Sequence, residues 1–127
     1  GIYNTGTLTF HSGSITGNNN YILGLGGGIY NIYAFSMYGG TVSGNTGNGI
    51  YTDYDFLLDG GVINDTIYLG NNTAVTLGNN YTNTQTKQME LNVHYRGKQE
   101  LEGNLAANVI ASFQLKQPGW TINLQGK

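Results

Sequence analysis

Gly28-Ile29-Tyr30-Asn31, followed by Gly39-Gly40-Thr41-Val42-Ser43-Gly44-Asn45, decides how the rest of the chain is read. The pattern recurs on either side. Gly1-Ile2-Tyr3-Asn4 leads to Gly13-Ser14-Ile15-Thr16-Gly17-Asn18, and Gly49-Ile50-Tyr51-Thr52 leads to Gly60-Gly61-Val62-Ile63-Asn64-Asp65. Gly13, Gly40 and Gly61 each fall 12 residues after the opening glycine of their unit, although the units are offset by 27 and then 21 residues. A constant internal spacing in units of about 20–30 residues marks a solenoid.

The units align position by position. Ile2, Ile29 and Ile50 correspond, as do Leu8, Phe35 and Phe56; Phe10, Met37 and Leu58; and Ile15, Val42 and Ile63. Leu8-Thr9-Phe10 and Phe35-Ser36-Met37 alternate apolar and polar residues, the period of a strand with one face inward. Three short strands per unit, parted by Gly, Asn and Ser, make one coil of a parallel β-helix. Coils about 4.8 Å apart stack equivalent side chains into ladders, and a coil buries its apolar faces only against its neighbours. The expected core therefore includes Ile29, Phe35, Met37 and Val42, and the preference for right-handed crossovers predicts a right-handed helix.

Composition agrees with a ladder architecture. The 127 residues include 21 Gly, 1 Pro and no Cys, and only 9% are charged, against about a quarter in an average domain. Low charge suits stacking, because like charges at strand spacing repel. Without cysteine there is no disulfide framework, thiolate zinc site or Cys nucleophile. The net charge of −2 argues against nucleic acid as a partner, which calls for a basic stripe. No apolar run reaches the length of a membrane-spanning helix. The chain opens on a full coil opener, with neither initiator Met nor signal peptide in view, so we read it as a piece of a longer protein that carries those elements.

Residues 1–86 are read as about four β-helix coils. The segment 19–25 lengthens the first as a corner loop, and Ile67-Tyr68-Leu69 with Val75 and Leu77 forms a degenerate fourth. Gly24-Leu25-Gly26-Gly27-Gly28 reads as a tight corner; no helix follows it to make a phosphate loop. All five basic residues lie in 87–127. That part, with a strand over 89–96 and apolar stretches at 109–115 and 120–124, is read as irregular β-rich coils capping the same domain. A helix over Leu105–Phe113 is the alternative.

Residues 1–65 resemble the repeats of bacterial cell-surface and secreted β-helix proteins, including polymorphic outer-membrane and adhesin-like proteins. Gly27-Gly28-Ile29-Tyr30-Asn31 and Gly39-Gly40-Thr41-Val42-Ser43-Gly44-Asn45 carry the likeness; Thr52 and Asn64-Asp65 depart from it. The resemblance implies the β-helix fold and an extracellular or cell-surface location. It implies no reaction.

Two groups of residues are candidates for a site. Tyr3, Tyr30 and Tyr51 align as an outward row, and Tyr33 aligns with Tyr54. Rows of aromatic faces suit sugar rings or partner proteins, although such rows also arise from ladder packing alone. Asp53, Asp55 and Asp59 form the densest acidic cluster, with Asp53 and Asp55 expected on one strand face. Outward, solubilising carboxylates are the plain reading. A weak calcium site is the functional one, since Asp and loop carbonyls suffice for that ion; no other cofactor is expected. β-Helical polysaccharide-degrading enzymes use clustered aspartates, but no basic residue lies in the first three coils to join them. His11 and His94 lack spaced partners for a metal or a triad. Asn18 and Asn45 are expected to stack inward.

The expected function is thus a non-enzymatic structural, adhesive or recognition module of a secreted bacterial surface protein, with a glycan or protein as partner. The alternative is a carbohydrate-active β-helix using the Asp53, Asp55 and Asp59 face. The open apolar end formed by Ile2, Leu8, Phe10 and Ile15 is expected to meet neighbouring coils or a second copy.

Overall fold

The computed structural model describes residues 1–19, 26–70, 73–93, 99–115 and 123–126. The expected corner loop at 19–25 apart from Asn19, together with His94 and most of the apolar stretch at 120–124, lies outside the described residues. The chain winds as a parallel β-helix. Its first rung is β1 (Ile2–Asn4), β2 (Leu8–Phe10) and β3 (Ser14–Thr16), and its second is β4 (Gly26–Asn31), β5 (Phe35–Met37) and β6 (Thr41–Ser43). The third is β7 (Asn48–Thr52), β8 (Phe56–Leu58) and β9 (Val62–Asn64). Three further rungs have two strands each: β10 (Thr66–Leu69) with β11 (Thr73–Leu77), β12 (Met89–Val93) with β13 (Gln99–Gly103), and β14 (Phe113–Leu115) with β15 (Asn123–Gly126).

Corresponding strands pair in parallel. They build two sheets of six strands, β1-β4-β7-β10-β12-β14 and β2-β5-β8-β11-β13-β15, and a third of three, β3-β6-β9. The observed register is the one the repeat spacing requires. Ile2, Ile29, Ile50, Ile67, Leu91 and Leu115 form one inward column. Leu8, Phe35, Phe56, Val75, Leu101 and Leu124 form another. Ile29, Phe35, Met37 and Val42 are buried, and so are Ile50, Phe56, Leu58 and Ile63 one rung on. Phe35 stacks on Phe56 with ring centroids 4.7 Å apart. Ile2, in the first rung, stays 36% exposed while Ile29 and Ile50 are fully covered. Burial in this fold comes from the neighbouring rung.

Corners set the register. Gly13, Gly40 and Gly61 take φ of 102°, 86° and 92° on entry to the third sheet, a left-handed conformation that costs glycine little. At the turn from the first sheet to the second, Asn4, Asn31 and Thr52 are buried and linked. Asn4 Nδ2 donates to Asn31 Oδ1 at 2.7 Å, and Asn31 Nδ2 to Thr52 Oγ1 at 3.0 Å. Asn31 and Thr52 also donate to the carbonyls of Tyr33 and Tyr54, each at 2.6 Å. These bonds bend the chain by the Asx-turn mechanism and satisfy side chains that would be costly to bury alone. The expected inward stack of Asn18 on Asn45 is present but half-buried, and it runs on into Asp65.

The third sheet stops after β9, and a side chain takes the place of the next strand. Gln85 Oε1 accepts from Ile63 N at 2.9 Å, while its Nε2 donates to Ile63 O at 2.6 Å. The carboxamide offers the same donor and acceptor as a peptide unit, so it closes the edge at one residue.

Two expectations are corrected here. Gly26–Gly28 belong to β4 and not to a corner, with the register shifting between Gly26 and Ile29. The glycines serve close approach: a Cβ on Gly27 would meet Thr46 O at 2.1 Å, and one on Gly28 would meet Gly49 O at 2.5 Å. Near the C-terminal end, a one-turn helix α1 (Ala107–Ile110) interrupts the strands expected there. It realises part of the helical alternative, in an Ala-rich stretch with favourable propensity, before β14 rejoins the first sheet.

Candidate functional site

Strand alternation places the residue after each inward isoleucine on the outer face of the first sheet. In four consecutive rungs that residue is tyrosine: Tyr3, Tyr30, Tyr51 and Tyr68, paired in register. Successive ring centroids are 5.0, 5.1 and 4.8 Å apart, with interplanar angles of 13°, 24° and 4°. Tyr68 completes a row that sequence alignment had ended at Tyr51. Its place was hidden because the fourth rung lacks the glycine opener.

The stacking alters what the row can offer. Inside the ladder the ring faces cover one another, so the surface presents ring edges and a line of phenol hydroxyls. The expected row of open aromatic faces is absent; Tyr3, 67% exposed, sits at the start of the line. Tyr33 and Tyr54 make a separate pair at 5.2 Å, tilted by 43°. His11 stacks on Tyr38 at 5.2 Å.

Burial, and next the carboxylate of Asp53, push the Tyr51 phenol up to about 12. Tyr30 is raised by burial, then by Asp53 and Tyr3. The Tyr30 and Tyr51 hydroxyls therefore stay protonated at neutral pH and can both donate and accept hydrogen bonds.

Asp53, Asp55 and Asp59 do not share a strand face. Asp53 and Asp55 occupy the turn between β7 and β8, where the Thr52 bonds break the strand, and Asp59 follows β8. Asp55 and Asp59 hold backbone of the next rung: Asp55 Oδ1 accepts from Ala74 N, and Asp59 Oδ1 from Asn80 N, each at 3.0 Å. Asp59 Oδ2 accepts from Asn80 Nδ2, also at 3.0 Å. Asp53 lies against Gly70. Among the described residues no three His, Cys, Asp or Glu side chains come together to hold a metal ion.

A cleft of about 140 Å³ opens instead where the third sheet meets the first, lined by Asn45, Asn64, Asp65, Thr66, Lys87 and Glu90. It brings two carboxylates and an ammonium group to one place. Asp65 continues the half-buried ladder, accepting from Asn45 Nδ2 at 2.7 Å. Thr66 pairs with Glu90, and Tyr68 with Asn92. Thr66 and Tyr68 lie two residues apart on one face of β10, about 6.5–7 Å along the strand. The polar cleft thus adjoins the Tyr68 end of the ladder. The sequence signals for it were Asp65, an acid one position ahead of the Asn18 and Asn45 column in the unit alignment, and Lys87, the first basic residue.

No helix among the described residues is long and apolar enough to cross a membrane. No family model matches the chain, and no curated protein or solved structure matches it.

Proposed function

We propose that this chain is a non-enzymatic recognition and structural module, part of an adhesive protein exported to a bacterial surface, whose outer first sheet binds an extended, hydroxyl-rich polymer such as a glycan. The observation that carries this reading is the line of four stacked tyrosines, one per rung, with successive ring centroids 4.8–5.1 Å apart. A rigid, evenly spaced row of donors and acceptors suits a repeating ligand, and tyrosine loses little conformational entropy on binding. The cleft at Asp65, Lys87 and Glu90 supplies charge at one end of that row. Repeats of the Gly-Ile-Tyr-Asn type accord with export to a surface.

Binding of the chain to a panel of immobilised polysaccharides tests the proposal. Retention should fall in Tyr30→Phe and Tyr51→Phe, which keep the rings stacked but remove the hydroxyls. Retention unchanged in both variants would refute the phenol row as the binding element.

The cleft also favours a second reading, carbohydrate cleavage, since it gathers carboxylates with a base where the Asp53, Asp55 and Asp59 face does not. That reading requires release of reducing ends from a polysaccharide, lost in Glu90→Gln or Asp65→Asn. On the binding reading, no polymer is turned over.

A further inference from the structure

Tyr33 and Tyr54 stand outside the ladder, on the corner between the first and second sheets. The buried Asn31 and Thr52 side chains grip the backbone of the two tyrosines, which fixes one above the other in adjacent rungs. Their rings are 5.2 Å apart and tilted by 43°, and both are exposed, at 47% and 44%. The position aligned with Tyr33 in the first rung is Gly6, and a Cβ built there would find nothing within 4 Å. No first-rung side chain therefore stacks on Tyr33 from its aligned position. The inner ladder rings lie between neighbours on both sides. The chain contains no cysteine, so no disulfide can join its rungs.

We propose that Tyr33 and Tyr54 form an oxidative cross-linking site, closed to a dityrosine bridge between rungs by peroxide with a haem peroxidase. Each phenol gives up one electron and its hydroxyl proton. The two phenoxyl radicals join through ring carbons ortho to oxygen, forming one carbon–carbon bond. The hydrogen on each joined carbon then moves as a proton to that ring's oxygen, which restores two phenols. Hydrogen peroxide takes the two electrons and two protons and leaves as two molecules of water. The exposed edges let an oxidant reach both rings, and the tilt brings neighbouring edges together. Tethering gives one ring an effective concentration of at least millimolar around the other. At micromolar protein this favours the internal link over links between chains by about a thousandfold.

The full chain, folded and at micromolar concentration, is oxidised with hydrogen peroxide and a haem peroxidase. Dityrosine fluorescence, intact mass and peptide mapping are then read. We expect a monomer lighter by two hydrogens, a mapped Tyr33–Tyr54 peptide, and a higher denaturant midpoint for the linked chain. Tyr54→Phe, a surface change that keeps the ring, should abolish that peptide while its circular dichroism stays that of the parent. Cross-links found only between chains, or only among other tyrosines, would overturn the proposal. So would an equal yield of the same peptide from chain oxidised in urea, because the fold would then play no part in pairing the rings.

Discussion

Replacing Gln85 by alanine isolates the closure of the third sheet. The parent side chain accepts from Ile63 N at 2.9 Å and donates to Ile63 O at 2.6 Å, with a further bond to Lys87 O at 3.1 Å. Truncation removes both Ile63 bonds and leaves a backbone donor and acceptor at the sheet edge. A buried, unpaired group costs about 1–3 kcal/mol, and an ordinary bond contributes about 1 kcal/mol net. The edge is only part-buried, so water should satisfy some of the orphaned capacity, and alanine has no rotamer entropy to lose on folding where the ordered glutamine did. The expected net loss is about 2 kcal/mol, or roughly 6–10 °C in melting temperature for a chain of this size. Urea melts of parent and variant give the free energy, and hydrogen exchange at the Ile63 amide gives the site. Gln85→Glu sharpens the test. A carboxylate still accepts from Ile63 N but cannot donate to Ile63 O, so this variant should be as weak as Gln85→Ala at pH 7. It should recover part of the loss at pH 4, where protonation returns a donor. Gln88→Ala is the control, since Gln88 Nε2 donates to the carbonyls of Ala111 and Phe113, at 3.1 and 3.3 Å, and not to a strand of the third sheet. A Gln85→Ala chain within about 0.5 kcal/mol of parent, the range of ordinary surface changes, with unaltered Ile63 exchange, would refute the idea that this amide stands in for a strand.

Phe35→Ala should cost about 3–5 kcal/mol, as a cavity in a stacked core, whereas Tyr33→Ala on the outer corner should cost far less; equal losses in denaturant melts would place the register one residue out. The Tyr51 phenol, raised to about 12 chiefly by burial and then by Asp53, lies above its unfolded value of about 10. Its stabilising effect is therefore complete below about pH 10 and fades as pH rises towards 12. Urea midpoints across that window should fall more steeply for the parent than for Tyr51→Phe, and Asp53→Asn should lower the pH at which Tyr51 ionises, read by phenolate absorbance.

The inward columns were legible in the sequence because stacking forces equivalent residues to the same place in every rung. Twelve-residue spacing and alternation sufficed to assign Ile29, Phe35, Met37 and Val42. What escaped depends on contacts between segments with no repeat relation. Gln85 lies 22 residues after Ile63 in a polar stretch without strand character, and only the folded path brings its amide to that edge. Asp53, Asp55 and Asp59 looked like a face because alternation was carried through Thr52, where the chain turns. The cleft joins Asp65, from the end of the repeats, to Lys87 and Glu90, which follow them. The ladder was recognised, but its exposed surface was not, since alignment reports which residues stack and not which part of each ring remains uncovered.

The glycines that begin the second and third approaches to the third sheet, Gly39 and Gly60, carry a consequence for how such a chain changes over generations. A Cβ on Gly39 would strike His11 O at 2.3 Å, and one on Gly60 would strike Tyr38 O at the same distance. Each position is policed by the backbone of the rung before it, which is itself held in place by its own predecessor. A lone replacement is rejected whatever its chemistry, whereas copying or deleting an entire unit leaves every glycine opposite a suitable carbonyl. Lineages of this architecture should therefore diverge in number of units more readily than in the residues at these corners, with novelty concentrated on the outward positions and on inserted loops that no neighbouring rung inspects.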